Sequence, residues 1–134
     1  DAYWLSLAET RWGPHSEIHT IPPGISLITS SDRNDISSAR IRTYLPQFEN
    51  AEVPDPEKGN WSAWQSLFSS RIYDPSHGPE GAMLISTDSG FGTVSSSLIA
   101  LPSPNYISTK KNVKPVYLFS NDAPTVTSYN LVNF

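Results

Sequence analysis

The pattern of apolar and polar positions predicts short strands near the start of the chain. Alternating residues indicate strands at Tyr3 to Leu7 and at Glu17 to Ile21, and a third strand follows at Ile25 to Thr29. The Trp-Gly-Pro run at 12–14 indicates a turn. The Pro-Pro-Gly run at 22–24 is a short link between the second and third strands, which favours their pairing as a hairpin.

Two amphipathic helices are predicted in the middle of the chain. Four apolar side chains of the first recur at i, i+3, i+4 and i+7: Ile41, Tyr44, Leu45 and Phe48. Asn34 or Asp35 is expected to cap this helix, which should end near Pro46. Asn60 can cap the second helix, and one stripe of that helix is apolar: Trp61, Trp64, Leu67, Phe68 and Ile72.

The stretch from Gly90 to Leu101 is the one around which the rest of the chain is expected to fold. Residues 87–90 predict a turn that leads into it. Its two glycines let the backbone bend, and a serine-rich and then apolar run predicts a strand after them. Leu98 to Leu101 are apolar at odd and even positions, so both faces of this half are expected to be buried. Thr93, Ser95 and Ser97 share one face of the first half. This polar end suits a ligand site, although a turn leading into an ordinary core strand has the same pattern.

Two further strands are predicted near the end of the chain, at Val113 to Ser120 and at Thr125 to Phe134. Residues 117–119 are apolar at odd and even positions, which again predicts burial on both faces. The order of elements is thus strands, two helices and strands. Sheets that are buried on both faces need layers on both sides, so the predicted fold class is a layered α+β architecture, with residues 1–134 in a single domain.

Charge and hydropathy narrow the classes of partner. The 134 residues carry a net charge of −4, and the 9 lysines and arginines are scattered rather than clustered. Nucleic acid is therefore excluded as the expected partner. The longest apolar runs are about four residues, far too short for a membrane span.

The chain contains no cysteine, which excludes disulfides, thiolate zinc sites and thiol nucleophiles within it. This absence fits a reducing compartment, and no signal-peptide pattern is found, so a cytoplasmic location is expected. The first residues lack an initiator methionine and read like the middle of a strand, which indicates a trimmed chain or a fragment.

His15, Glu17 and His19 lie on one face if their segment is a strand. Residues at i and i+4 of a strand are about 13 Å apart, so the three side chains cannot bind one metal ion on a straight strand. A solvated polar face explains them better, and no metal site or cofactor is predicted. No nucleophile elbow of the G-x-S-x-G type is present, and no glycine motif for a phosphate is found.

Several segments resemble the C-terminal half of NRDE-type proteins, a family that includes the eukaryotic transport-and-Golgi-organisation proteins. The resemblance covers most of the chain in order and spacing. It is carried by the segment at 21–29, the helix at 37–48, the Trp-Gln-Ser-Leu-Phe run at 64–68 and the run at 92–98. The Gly-Thr-x-x-Ser-Ser pattern in the last of these is the most specific piece.

The resemblance implies the αββα sandwich of N-terminal-nucleophile hydrolases, with this chain supplying roughly the C-terminal half. The family's Asn-Arg-Asp-Glu motif and its N-terminal cysteine would lie upstream, so no catalytic residue is expected in this chain. Asp1 cannot replace that cysteine, because its side chain offers no thiol or hydroxyl nucleophile. The implied partner is therefore the N-terminal half of the same protein, whose strands would cover these sheets and pair with their edges.

Two positions depart from the family pattern. Many relatives have asparagine near the end of the strand before the first helix, where this chain has a Thr-Ser-Ser run at 29–31. Many also have arginine after the Gly-Thr pair, where Val94 stands here. Losing a fixed donor in such a site typically costs about a hundredfold in rate. Thr93, Ser95 and Ser30 are expected to line the substrate site as hydrogen-bond donors, none of them as the nucleophile.

Three functions remain open at this point. The first is amide or acyl hydrolysis on a hydrolase-like fold, with the nucleophile in a segment outside this chain. The second is a non-catalytic relative that binds or traffics a hydrophobic small molecule. The third is a self-contained, β-rich binding module unrelated to the family.

Overall fold

The computed structural model describes residues 2–109, 113–124 and 128–133, and it mixes helices with two antiparallel sheets. Two compact units are present, Asp1–Glu49 and Asn50–Phe134. The first holds β1 and β2 and nearly all of α1: Ala2–Thr10, Gly13–Ile21 and Ala39–Asn50. The second holds α2, β3, α3, β4 and β5: Ser62–Phe68, Ser96–Ala100, Pro104–Thr109, Val116–Ser120 and Asn130–Leu131. This composition agrees with the predicted α+β class.

The first sheet is the β1–β2 hairpin, whose strands pair from Ala2 opposite Ile21 to Thr10 opposite Gly13. The turn falls where the Trp-Gly-Pro run predicts it. Thr10 Oγ1 accepts a hydrogen bond from the Trp12 N–H at 3.2 Å and donates one to the Gly13 carbonyl at 2.8 Å. Both strands predicted in this region exist, and both are longer than the alternation indicates.

The predicted third strand is wrong, and so is the hairpin across the Pro-Pro-Gly run. Residues 25–29 are not a strand, and β2 pairs with β1 instead. Asn34 explains this difference. Its N–H donates to the Leu27 carbonyl at 2.9 Å, its Oδ1 accepts from the Leu27 N–H at 2.7 Å, and its Nδ2 donates to the Ile25 carbonyl at 3.2 Å. Three of the backbone groups that a neighbouring strand could use are therefore already bonded to Asn34.

Asn34 also adopts the left-handed conformation, with φ at 56°. Glycine takes up this conformation freely, so Asn34→Gly removes the side-chain hydrogen bonds without adding backbone strain. We expect a loss of about 1 kcal/mol in the free energy of unfolding, measured by urea denaturation. Asn34→Asp keeps an acceptor for the Leu27 N–H and should lose less. An unchanged stability in Asn34→Gly would show that these bonds do not stabilise the segment.

Helix α1 begins later and ends later than the sequence predicts. Ser38 caps it: its carbonyl accepts from the Arg42 N–H at 2.9 Å, and its Oγ lies 3.5 Å from the Ile41 N. Neither Asn34 nor Asp35 is the cap. The Asp35 carboxylate instead accepts bonds from the backbone N–H and the hydroxyl of Ser37, and these bonds lower the pKa of Asp35.

Pro46 lies inside α1 rather than at its end, and the helix continues to Asn50. A proline removes one intrahelical donor. In the following turn, Gln47 Nε2 donates to the Thr43 carbonyl at 2.8 Å. Three residues of the predicted apolar stripe are buried: Ile41 and Tyr44 have no exposed surface, and Phe48 is 5% exposed. The fourth, Leu45, is only half-buried.

The second helix is shorter than predicted. The predicted Asn60 cap is wrong: Trp61 stands at the N-cap of α2, and no side chain that the structure describes caps this helix. The Asn60 Oδ1 instead accepts bonds from the Ser62 hydroxyl at 2.9 Å and from the Ser62 N–H at 3.4 Å. Ile72 lies beyond the end of α2 and is mostly exposed, so it does not extend the stripe. Trp64, Leu67 and Phe68 of the predicted stripe are half-buried. The buried apolar residues in the described part of this unit include Trp61, Ala82, Leu84 and Leu98.

Strand β3 is the part of the Gly90 to Leu101 stretch that forms a regular strand, and it lies at an edge of the β3-β4-β5 sheet. Leu98 is 2% exposed, whereas Ile99 is 59% and Leu101 is 76% exposed. The expected burial of both faces is therefore wrong for this chain, because only one face is covered by residues that the structure describes.

The last strands lie where the sequence predicts them, but they are shorter. Strand β4 covers the second half of the predicted Val113 to Ser120 strand, and its residues 116–119 are half-buried rather than fully covered. Strand β5 has only two residues within the predicted Thr125 to Phe134 strand, of which 125–127 and 134 lie outside the described residues. Helix α3 has no counterpart in the sequence prediction.

Candidate functional site

The three residues expected to line a site fall in different units. Ser30 belongs to the first unit, in the bent segment after Ile28, and its side chain is exposed. Thr93 and Ser95 belong to the second unit, just before β3. Ser95 is exposed and Thr93 is half-buried. Ser30 and Ser95 are thus accessible to solvent.

The Thr93 hydroxyl is bonded to the backbone of a neighbouring segment. Its Oγ1 accepts from the Ile85 N–H at 3.0 Å and donates to the Met83 carbonyl at 3.2 Å. The Thr93 N–H also donates to the Ile85 carbonyl at 3.0 Å. Three bonds from one residue therefore fix the course of residues 83–85, and the hydroxyl proton points at a backbone oxygen.

A tight loop between residues 85 and 93 follows from these bonds. The Gly90 N–H donates to the Thr87 carbonyl at 3.1 Å, and the Thr87 N–H donates to the Phe91 carbonyl at 3.1 Å. Gly90 has φ at +85°, a conformation that favours glycine. This is the turn that the sequence predicts at 87–90. Ser86 and Gly92 pair across the loop as an isolated antiparallel bridge.

A cavity of about 420 Å³ lies beside this loop, within the second unit. Its lining combines one arginine, one aspartate, hydroxyl groups and an apolar floor: Arg71, Tyr73, Pro79, Ala82, Leu84, Ser86, Thr87 and Asp88. The Leu84 N–H donates to the Ser70 carbonyl at 2.9 Å, which brings the segment after α2 against residues 82–86. No pattern in the sequence indicates this cavity, because its walls form only where the chain folds back on itself through such bonds.

The polar face of the β1–β2 hairpin carries a cluster of titratable groups that is separate from the cavity. The predicted sharing of one face by His15, Glu17 and His19 is confirmed. His15 Nε2 lies 2.9 Å from Glu17 Oε1, and His19 Nε2 lies 3.4 Å from Glu17 Oε2. The hydrogen bond from His15, together with the charges of both histidines, lowers the pKa of Glu17. Trp4 stacks on the His19 ring at 4.5 Å between centroids.

This cluster does not have the geometry of a catalytic triad. Ser6 Oγ lies 3.1 Å from His19 Nε2, the same nitrogen that faces Glu17. A triad needs the hydroxyl on one ring nitrogen and the carboxylate on the other, so that the proton accepted from the hydroxyl leaves an oriented imidazolium. Among the described residues, no group of three or more histidines and carboxylates is placed to hold a metal ion.

A serine, a histidine and an aspartate also lie together at residues 74–77, where they form a local turn. Ser76 donates its backbone N–H and its hydroxyl to Asp74 Oδ1, at 3.0 and 2.7 Å. Ser76 Oγ lies 2.8 Å from His77 Nδ1, and Asp74 Oδ2 lies 3.6 Å from that same nitrogen. This is an Asx turn with a neighbouring histidine rather than a relay.

The serines at the start of β3 contact tyrosines of the same sheet. The Tyr129 hydroxyl donates to Ser96 Oγ at 2.8 Å, and Ser97 Oγ lies 3.4 Å from the Tyr117 hydroxyl. Partial burial raises the pKa of Tyr129, against the opposing effect of its bond to Ser96. These contacts join β3 to the two following segments.

Comparison with known proteins does not assign a family: the chain matches no protein-family model, no curated protein and no solved structure. In the described part of the chain, no helix combines the length and the apolar character needed to cross a membrane.

Proposed function

We propose that this chain is the C-terminal part of an NRDE-type protein, and that an N-terminal segment of the same protein completes an αββα domain with it. The single observation that carries this proposal is the apolar face of the hairpin. Leu7 and Ile18 are each 75% exposed there, and more than half of Tyr3 and Leu5 is exposed as well.

Register explains why these residues share a face. Leu5 pairs with Ile18, Tyr3 with Thr20, and Leu7 with Ser16, so their side chains point to the side opposite Glu17. A two-stranded hairpin is marginally stable by itself in water, and burying each large apolar side chain stabilises it by about 1.5–3 kcal/mol. The surface that best buries this face is therefore another apolar sheet face, packed on it as in a β-sandwich.

The proposed activity is amide or acyl hydrolysis with a cysteine nucleophile at the start of the N-terminal segment. Its own α-amino group would act as the base that activates the thiol. Thr93 and Ser95 would line the substrate site, and the Ser95 hydroxyl would stabilise the oxyanion that forms on the attacked carbonyl. Thr93 would hold the adjoining loop.

Val94 supports a second function. It is mostly exposed, where many members of the family carry an arginine. An apolar side chain in place of a cation weakens the stabilisation of a developing negative charge. The same domain would then bind or carry a hydrophobic small molecule without catalysis.

The test is the intact mass of the denatured protein after purification under native conditions. A co-purifying polypeptide that begins with cysteine is the expected result, and it would be followed by a screen of amide substrates. With the companion present and no hydrolysis, the binding function is retained and catalysis is rejected. If this chain folds cooperatively alone, the two-part domain is rejected.

A matched pair of variants tests whether the companion covers the apolar face of the hairpin. We expect Ile18→Lys to reduce the amount of companion recovered by about tenfold, because it places a charge in the covered surface. His15→Lys changes the opposite face of the same strand and should leave recovery unchanged. Equal recovery with both variants would show that the companion does not cover this face.

A further inference from the structure

Two opposite charges line the cavity in the second unit without neutralising each other. Arg71 and Asp88 are both exposed at its wall. In the part of the chain that the structure describes, they form no ion pair with each other. A ligand can therefore give each of them a partner. Because a guanidinium binds a carboxylate through two parallel N–H bonds, the arginine selects a planar anion.

The floor of the cavity is apolar. Ala82 and Leu84 are almost fully buried, and Pro79 and the half-exposed Tyr73 ring complete the apolar lining. Small-molecule sites typically combine such a lining with a few polar groups that fix the orientation of the ligand. An aliphatic or aromatic side chain of modest size fits this chemistry.

The polar groups of the cavity are held on a fixed backbone. Ser86 pairs with Gly92 across the 85–93 loop, and the residues before it are bonded to Thr93. The Thr87 hydroxyl donates to the Phe91 carbonyl at 2.8 Å, so its proton is already used in a hydrogen bond within the loop. The Ser86 hydroxyl and Asp88 therefore approach a ligand from a loop whose geometry is set before binding, which reduces the entropic cost of binding.

We propose that this cavity binds a small zwitterion, an apolar α-amino acid, with its carboxylate on Arg71 and its ammonium group on Asp88. The apolar side chain of the ligand lies on Leu84, Ala82 and the Tyr73 ring. A ligand with a carboxylate alone would place a negative charge near Asp88. A ligand with an amine alone would place a positive charge near Arg71. The pairing of opposite charges thus favours a ligand that carries both.

The test is a two-dimensional NMR titration of the ¹⁵N-labelled protein, as isolated, with L-phenylalanine. We expect amide shifts confined to residues 71–73 and 79–88, with a dissociation constant of about 1 mM or tighter. 3-Phenylpropionate lacks the ammonium group and 2-phenylethylamine lacks the carboxylate. Each should bind at least about tenfold more weakly than the amino acid. Equal binding of the three compounds, or no shift at about 10 mM, would overturn the proposal.

Variants assign each charge to its ligand group. Arg71→Gln should weaken L-phenylalanine binding about tenfold and should abolish the advantage of the amino acid over 2-phenylethylamine. Asp88→Asn should abolish its advantage over 3-phenylpropionate in the same way. Arg11→Gln and Glu9→Gln make the same charge changes at exposed positions of the hairpin, and they should leave binding unchanged. Equal weakening by these control variants would show that net charge, not the cavity, determines binding.

This proposal stands apart from the proposed hydrolase-like function. Binding needs no nucleophile and no companion segment, so the titration can succeed where the mass measurement finds one chain only. Conversely, a companion that begins with cysteine can be present while L-phenylalanine fails to shift the cavity amides. The two failures are therefore distinguishable.

Discussion

Replacing Ile41 by alanine is expected to lower the free energy of unfolding by about 2–5 kcal/mol. Ile41 lies on the apolar stripe of α1 and has no exposed surface. The substitution removes three buried carbon atoms and leaves a space that the surrounding residues fill only in part, so both the transfer and the cavity contributions are lost. Urea denaturation followed by circular dichroism measures the change.

Ile36 provides the matched control, since it precedes the same helix and is 67% exposed. Ile36→Ala removes the same atoms from a surface position and should change stability by no more than about 0.5 kcal/mol. Equal effects of the two substitutions would mean that the stripe of α1 is not a core in the folded protein.

Replacing Thr93 by valine is expected to lower the free energy of unfolding by about 1–3 kcal/mol. Valine keeps the shape of the side chain but removes Oγ1, which leaves the Ile85 N–H and the Met83 carbonyl without their side-chain partner. The same change loosens the loop that carries Ser86. We therefore also expect weaker binding of L-phenylalanine in the NMR titration.

Thr93→Ser is the control for this experiment, because it keeps the hydroxyl and removes only the methyl group. It should retain most of the stability and the position of the loop amides in the NMR spectrum. A larger loss in the serine variant than in the valine variant would show that packing of the methyl group, not hydrogen bonding, makes Thr93 important.

Local chemistry explains which features could be predicted. The stripe of Ile41, Tyr44 and Phe48 follows from helical periodicity alone, because residues three and four apart share a face whatever surrounds them. The turn at 87–90 likewise depends on a glycine at positive φ within four residues. The common face of His15, Glu17 and His19 needs only the two-residue period of a strand.

Strand pairing could not be predicted in the same way. Residues 25–29 have strand-like composition, yet Asn34 takes their backbone groups from a position farther along the chain. Competition between a side chain and a neighbouring strand for the same backbone groups depends on the three-dimensional path of the chain. The exposure of Ile99 has a similar origin, since a strand can be apolar on both faces while its sheet covers only one of them.

The features of the candidate site also differ in whether local sequence or tertiary structure determines them. The sequence by itself determined the residue types at the Gly-Thr segment, the polar hydroxyls before β3 and the buried face of α1, because each depends on neighbours within a few positions. Only the tertiary structure decided that Thr93 bonds to residues 83 and 85, and that Arg71 and Asp88 line one cavity. Those relations join residues eight or more positions apart, and their free energy comes from hydrogen bonds and packing that no local pattern specifies.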